Sequence, residues 1–380
     1  MSNSNRIVIT GLGVVSPLGN DPETLWKALK AGECAIKEHK SLKEEGFQIP
    51  KYALCDESFG KSDKRGKNMA IYAAKQAAFN DTYTDKITGV YVGTSMGESG
   101  IFEEAVNEDP YLFQEGLANR FAEVIKDHLN LNGPAYGYGA ACAAGNYAIG
   151  TAADALRAGL IDTAFAGGVE PISKIALTGF IRSRAMAPEQ CKPFDKSRNG
   201  MQIGEGAAIL RLEREKDALA RNAKIYAIVG ELGLSCDAHH PTSPKKDGSG
   251  MAESIKHALM QNNLSASDID WVCAHGTGTI ISDFSESRAL HSVFGSKIPP
   301  VTGFKGALGH TMGAASAIET LLCVLTLEKQ EILQTTGYKN EDETLMIPVV
   351  KTHKKYPVNT IINSAYGFGG INSCLVLEHL

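Results

Sequence analysis

Gly139-Ala140-Ala141-Cys142-Ala143-Ala144-Gly145 is the stretch on which the reading of the chain turns. One cysteine stands among residues too small to cover it. A helical pattern follows from Asn146 to about Ala158, then strand-like Thr163–Gly168. A thiol at a tight turn into a helix sits at the positive end of the helix dipole, which favours thiolate and lowers the thiol pKa. Small neighbours admit a substrate carbonyl and leave backbone N–H groups free for an oxyanion. Cys142 is therefore a candidate nucleophile. Free cysteines are also among the most buried residues, so the same stretch suits a small core residue.

Strand and helix patterns alternate on both sides of this stretch. Upstream, Arg6–Thr10 reads as a buried strand running into Gly11-Leu12-Gly13-Val14-Val15-Ser16-Pro17, which has the look of a glycine turn. It begins like the dinucleotide fingerprint G-x-G-x-x-G, but Ser16 takes the third glycine position and Pro17 interrupts the turn, so nucleotide binding is poorly supported. Pro22 suits the first turn of a helix. Residues 35–68 are polar and lysine-rich, with Lys61, Lys64, Arg65 and Lys67 close together: a solvated face, or a docking patch for an acidic partner. Met69–Phe79 reads as helix, Gly89–Val92 as strand, and 101–130 as irregular and partly helical. Downstream, helix and loop over Ile175–Ala185 and helix over Gly250–Asn262 alternate with strand over Ile225–Leu234, Asp270–His275, Thr360–Ser364 and Cys374–Glu378. This order defines an α/β protein.

The two ends of the chain echo one another. Cys142 precedes an alanine-rich helix, and about sixty residues on a glycine turn leads into Ile209-Leu-Arg-Leu-Glu213. His310 precedes another such helix, and at a similar distance a glycine turn leads into Cys374-Leu-Val-Leu-Glu378. The spacing predicts a duplicated unit in which two equivalent helix starts face a common cleft.

Composition narrows the function. The chain has 380 residues, 43% of them hydrophobic, enough for a large core. A net charge of −5 gives no electrostatic case for nucleic acid. The eight cysteines are scattered, with no C-x-x-C, which disfavours a disulfide framework or a zinc site and fits a reducing cytoplasm. Met1–Arg6 has no apolar signal core, and no apolar run approaches the roughly 20 residues of a membrane span. His239 and His240 are adjacent, yet no H-x-x-x-H or H-E-x-x-H occurs, so no metal site is expected. A papain-like protease finds no local cysteine signature here.

Three candidates stand at glycine-rich element ends: Cys142 at a helix start, His275 at the end of a strand before Gly276-Thr277-Gly278-Thr279, and His310 before the second alanine-rich helix. A lone histidine is as often a satisfied core residue. Three such residues at element ends are where α/β proteins build sites.

That set, with Lys305 through His310 and Tyr366-Gly367-Phe368-Gly369-Gly370, resembles the condensing enzymes, specifically the elongating β-ketoacyl-[acyl-carrier-protein] synthases. The resemblance covers nearly the whole chain, including Ile9-Thr-Gly-Leu-Gly13, Lys192-Pro-Phe-Asp195 and Gly204-Glu-Gly-Ala-Ala208. It implies the thiolase fold: two similar αβαβα halves in a five-layered body, residues 1–226 carrying the cysteine and 227–380 both histidines, usually dimeric. It implies that Cys142 holds the acyl chain as a thioester, and that His275 and His310 stabilise the enolate from a malonyl thioester that has lost carbon dioxide. The backbone N–H groups of Cys142 and Phe368 would form the oxyanion hole, with no cofactor. Around these, the resemblance pairs Lys305 with Glu319 and makes Phe368 a gate. It assigns Thr242, Thr277 and Thr279 to the pantetheine arm and Met96 and Phe180 to the acyl pocket. The partner is an acyl-carrier protein, for which Lys64, Arg65, Lys67, Arg182 and Arg184 are docking candidates.

Some features depart from the family pattern. Residues 36–68 are compact. Ile280-Ile281-Ser282-Asp283 follows Thr279 where a proline and a leucine are usual, and Ala365-Tyr366 replaces Ser-Phe. These point away from fatty-acid housekeeping, toward a specialised pathway such as aryl polyene or other type II polyketide assembly. There such enzymes often pair with a partner lacking the cysteine. Alternatives are a non-elongating scaffold or chain-length partner, against which the intact Cys-His-His set speaks, and a coenzyme A thiolase. A thiolase needs a second cysteine in the late glycine turn, and Cys374 lies too far into the strand.

Overall fold

The structure is a computed structural model describing residues 6–61, 64–79, 81, 86–104 and 112–380. The readings of Met1–Asn5 and of residues 105–111 lie outside the described residues. Ten strands form the main sheet: β1 (Ile7–Val15), β2 (Thr88–Gly93), β3 (Ala135–Tyr138), β4 (Thr163–Glu170), β5 (Gly206–Arg214), β6 (Ala227–Cys236), β7 (Trp271–Cys273), β8 (Val301–Thr302), β9 (Thr360–Gly367) and β10 (Ile371–Glu378). Their spatial order is β8-β7-β9-β10-β6-β1-β5-β4-β2-β3.

Outward from the β1–β6 seam, both sides repeat one design. β1-β5-β4-β2-β3 matches β6-β10-β9-β7-β8, strand for strand. In each half the first two pairings are antiparallel and the last two parallel. The seam pairs only Ile7–Ile9 with Ala227–Val229. The duplication expected from the spacing is thus written in the topology.

The main helices are α1 (Pro22–Lys30), α2 (Arg65–Ala78), α3 (Arg120–His128), α4 (Ala144–Arg157), α5 (Lys174–Arg182), α6 (Ser249–Gln261), α7 (Ile280–Phe294) and α8 (Ala315–Lys329). α2 and α3 cover one face of the first half-sheet, and α6, backed by α7, covers the far face of the second. α4 and α8 touch each other between the half-sheets and complete five layers. Their sequences suit that place. Every residue of α8 from Ala315 to Leu327 is buried, the mark of a helix apolar all round. A Cβ on Gly145 of α4 would lie 2.7 Å from the Ala317 nitrogen, so glycine sets how closely the two helices approach. Buried amides bridge the helices and the sheet here: the Asn146 side chain donates to the Asn363 carbonyl, and the Asn363 side chain to the Ser316 carbonyl and the Thr320 hydroxyl.

Two expectations are corrected. Gly11–Val15 is not a turn, since β1 runs through it. Cβ atoms on Gly11 and Gly13 would fall 2.0 and 1.8 Å from the carbonyl oxygens of Ala77 and Ala73. These glycines let α2 lie on the strand, and the turn comes later, at Ser16–Gly19. The second correction concerns the echo. The tight turn Ala141–Ala143 before α4 repeats as Met312–Ala314 before α8, with left-handed Ala141 (φ 47°) matching left-handed Met312 (φ 42°). The counterpart of Cys142 is therefore Gly313, and His310 stands three residues before it.

Candidate active site

Cys142 sits in its tight turn 8% exposed, at the floor of a cleft of about 510 Å³ that His275 and His310 also line. The His310 Nε2 lies 3.0 Å from its Sγ. On the other side of that ring, the Met312 N–H donates to Nδ1 at 3.2 Å. A backbone N–H aimed at Nδ1 leaves the ring proton on Nε2, so His310 presents a donor to the sulfur and the cleft.

His275 follows β7. Its own N–H and that of Gly276 donate to the two carboxylate oxygens of Glu286, each at 2.8 Å. Its carbonyl accepts from Lys305 Nζ at 2.6 Å, and the same ammonium pairs with Glu319 Oε1 at 2.6 Å. The His275 ring meets His310 edge-on at 5.3 Å between centroids and Tyr366 at 5.7 Å. Its Nδ1 is buried without a hydrogen-bond partner.

Charge balance sets the protonation states. Burial, then the Lys305 ammonium, holds both histidines well below the usual imidazole range, so both rings are neutral. Burial also pushes the Cys142 thiol up to about 12, against the pull of Lys305 and of the Phe368 N–H that bonds its sulfur. This corrects the sequence expectation of a dipole-lowered thiol. Desolvation at the pocket floor is the largest influence on this group, and it favours the neutral thiol.

The remaining candidates fall into groups. Phe368, 40% exposed, stands at the cleft mouth with its ring tilted against Phe180 at 5.5 Å. The glycines after it, at φ 86° and 73°, take a path few other residues adopt. Thr242, Thr277 and Thr279 line the cleft, the last two joined hydroxyl to hydroxyl at 3.0 Å. Thr279 also caps α7 through the Ser282 N–H. Met96 is not on the cleft wall. It packs with Phe180, Met201, Ile203 and Met312 in an adjoining apolar cluster.

The basic candidates divide. Arg182 and Arg184 are exposed, Arg184 at the cleft mouth. Lys64 is exposed at the start of α2. Arg65 is corrected: it is buried, its guanidinium 2.6 Å from Glu205 and donating to the carbonyls of Gly60 and Cys55. It presents no charge to a partner. Lys67 is largely withdrawn into a pair with Glu115 at 2.8 Å.

Sequence reading missed Glu286 and Glu170. The signal for Glu286 was an acidic residue one turn beyond Asp283 at the start of α7. For Glu170 it was one carboxylate ending the otherwise apolar and small Thr163-Ala-Phe-Ala-Gly-Gly-Val169.

Among the described residues no group of three or more metal-ligating side chains stands together, and no helix is long and apolar enough to cross a membrane. A body of two like halves, with a thiol and two neutral imidazoles converging on one cleft, is the arrangement of a thiolase-fold condensing enzyme. The chain matches the family model for the N-terminal domain of beta-ketoacyl synthase over residues 4–218 and that for its C-terminal domain over 226–339. It is 32% identical to the 3-oxoacyl-[acyl-carrier-protein] synthase 2 of Vibrio harveyi, across 100% of this chain and 99% of that one. Among solved structures it superposes on the ishigamide ketosynthase/chain length factor with a TM-score of 0.93 at 34% identity, covering 99% of this chain and 100% of that one. It superposes on a type II PKS ketosynthase, solved with its acyl-carrier protein and bound to the hexaketide, with a TM-score of 0.94 at 27% identity and the same coverage. The chain belongs to the beta-ketoacyl synthase family, and it is an acyltransferase of decarboxylative Claisen condensation.

Proposed function

We propose that this chain elongates a fatty-acid or type II polyketide chain held as a thioester on Cys142, drawing each extension from malonyl-acyl-carrier protein. The observation that carries the residue assignment is a neutral His310 directing Nε2–H toward the cysteine sulfur at 3.0 Å.

Cys142 Sγ attacks the carbonyl of an acyl-carrier thioester. The tetrahedral oxyanion is held by the N–H groups of Cys142 and Phe368, and the thiol proton leaves with the displaced pantetheine sulfur. The malonyl thioester then enters with its carbonyl oxygen toward His275 and His310. Its carboxylate carbon–carbon bond breaks, carbon dioxide departs, and the electron pair becomes an enolate held by the two neutral imidazoles. A doubly protonated imidazole would hold that charge too tightly for the next step. The enolate carbon attacks the Cys142 thioester carbonyl, and the cysteine leaves as the new bond forms. Lys305 and Glu319 fix the His275 carbonyl from behind. Thr242, Thr277 and Thr279 guide the pantetheine arm, Phe180 bounds the acyl chain, and Phe368 gates it.

The division at 226/227 follows the sheet seam, giving each half one copy of the five-strand design. Arg182, Arg184 and Lys64 are assigned to carrier docking. The dimer is homomeric or formed with a cysteine-lacking ketosynthase-like partner, the latter favoured by likeness to the ishigamide ketosynthase/chain length factor. Eight unpaired cysteines favour the cytoplasm.

Intact-mass spectrometry with carrier protein bearing different acyl chains tests this. A mass gain on the wild-type protein, absent from Cys142→Ala and followed by malonyl-dependent extension, is expected. No adduct with any chain sinks the proposal.

A further inference from the structure

The fold is duplicated, but only one of its two helix-start turns carries a nucleophile. At the first turn the end of β9 approaches Cys142, where the Phe368 N–H meets the sulfur. At the second, the end of β4 approaches Gly313, and that strand ends in a carboxylate, Glu170. Glu170 is fully buried. Its Oε2 accepts the N–H of Gly313 at 2.9 Å and that of Ser95 at 2.6 Å. Its Oε1 accepts the N–H of Met96 at 2.9 Å and the Thr94 hydroxyl at 3.3 Å. The twin turn is thus filled by the Glu170 carboxyl in place of a substrate oxyanion; burial pushes that carboxyl up to about 7, against the pull of its four donors. It is closed sterically too, since a Cβ on Gly313 would lie 2.4 Å from the Ser95 nitrogen.

The donors come from two separate pieces of the site. Gly313 and Met312 form the turn whose Met312 N–H fixes the His310 tautomer. Thr94, Ser95 and Met96 form the loop after β2, and the Thr94 hydroxyl also accepts the Gly97 N–H at 3.0 Å. The Glu170 carboxylate ties this loop, from the first half, to the His310 turn in the second. A carboxylate with four donors holds such a joint more firmly than neutral acceptors would, because charge-assisted bonds are about twice as strong.

We infer that Glu170 is a positioning residue for the decarboxylation step, holding the His310 turn in register with the Thr94–Gly97 loop. The inference rests on the proposed roles of Cys142 and His310. Acyl transfer to Cys142 uses the other turn and the Phe368 N–H; the Glu170 charge reaches Cys142 only by raising its thiol, so losing that charge does not slow the transfer. Glu170→Gln keeps the shape but sets an amide NH₂ against backbone donors.

The test measures the two half-reactions separately: acyl adduct on Cys142 by intact mass, and carbon dioxide release from malonyl-acyl-carrier protein. For Glu170→Gln the adduct is expected at the wild-type level, while decarboxylation falls about 10- to 100-fold in kcat with KM little changed, the signature of a lost transition-state interaction. If Glu170→Gln is not recovered folded, Glu170→Asp is read in the same way, since it keeps the charge but withdraws it from its donors. Unchanged decarboxylation, or parallel loss in both half-reactions, overturns the inference. Wild-type protein that forms no adduct and releases no carbon dioxide overturns the functional reading itself, and this inference with it.

Discussion

His310 gets its job from its backbone. The Met312 N–H takes Nδ1, so the proton sits on Nε2, and burial beside Lys305 keeps the ring neutral. The side chain is a donor, and Cys142 does not need it to stay in place. His310→Ala should therefore still gain the acyl mass while its malonyl decarboxylation falls about 10²- to 10³-fold, the usual cost of one oxyanion donor. Normal condensation by this variant, followed by carbon dioxide release, would refute the role. Lys305 carries the opposite prediction. It is buried between the His275 carbonyl and Glu319. Lys305→Met leaves the carboxylate uncompensated and should cost about 3–5 kcal/mol in urea unfolding, with Glu319→Leu in the same chain recovering most of it. If the double variant is no more stable than the single one, the pair is not what holds Lys305 there. Cys142, His275 and His310 were legible in the sequence because glycine-rich ends mark where side chains reach a cleft. Arg65 was not: it looks like any member of a lysine-rich run. Its partner Glu205 lies 140 positions away, and only the fold joins them.

Glycines at the element scale explain both what was read correctly and what was not. Alternating strand and helix, and the repeat in the second half, were readable from local hydrophobic patterning. Gly11 and Gly13 were read as a turn because glycine serves two purposes, bending a chain and letting another backbone approach. Adjacent sequence does not tell the two apart. Here the approach decides: α2 rests its Ala73 and Ala77 carbonyls where side chains would stand. The same ambiguity misplaced the echo by three residues, since His310 was the visible polar residue near α8 while its real landmark, Gly313, has no side chain. Gly13→Ala forces a methyl to within 1.8 Å of a helix carbonyl, so the helix must move. Overpacking of this kind costs about 1–3 kcal/mol, read as a lower urea midpoint with an unchanged slope. Gly139→Ala is the control, because nothing lies within 4 Å of the added atom. Equal loss in both would mean that glycine flexibility, and not close approach, is what β1 requires.

The whole molecule carries a net charge of −5, yet its proposed partner is acidic, so recognition depends on where the exposed cations stand and not on their total. Once Arg65 is withdrawn by Glu205 and Lys67 by Glu115, Arg184 at the cleft mouth and Arg182 at the end of α5 remain, with Lys64, as the exposed docking candidates. Arg184 lines the same cleft as Phe180 and Phe368, whose rings pair at 5.5 Å. A carrier protein docked there would deliver its pantetheine arm directly past the gate. Charged residues at such a rim act mainly on encounter and are screened by salt, with a Debye length of about 10 Å at 0.1 M. Arg182→Glu with Arg184→Glu should therefore raise KM for acyl-carrier protein about tenfold at low salt, leave kcat at saturation intact, and lose most of its effect near 1 M salt. Arg65→Ala should show the reverse pattern, with lowered stability at every salt concentration and carrier KM unchanged in the fraction that stays folded. An increase in carrier KM for Arg65→Ala with unaltered stability would return Arg65 to the docking face. The pair of variants thus separates two arginine environments that look alike in the sequence: one set at the cleft mouth, and one neutralised inside the body that positions it.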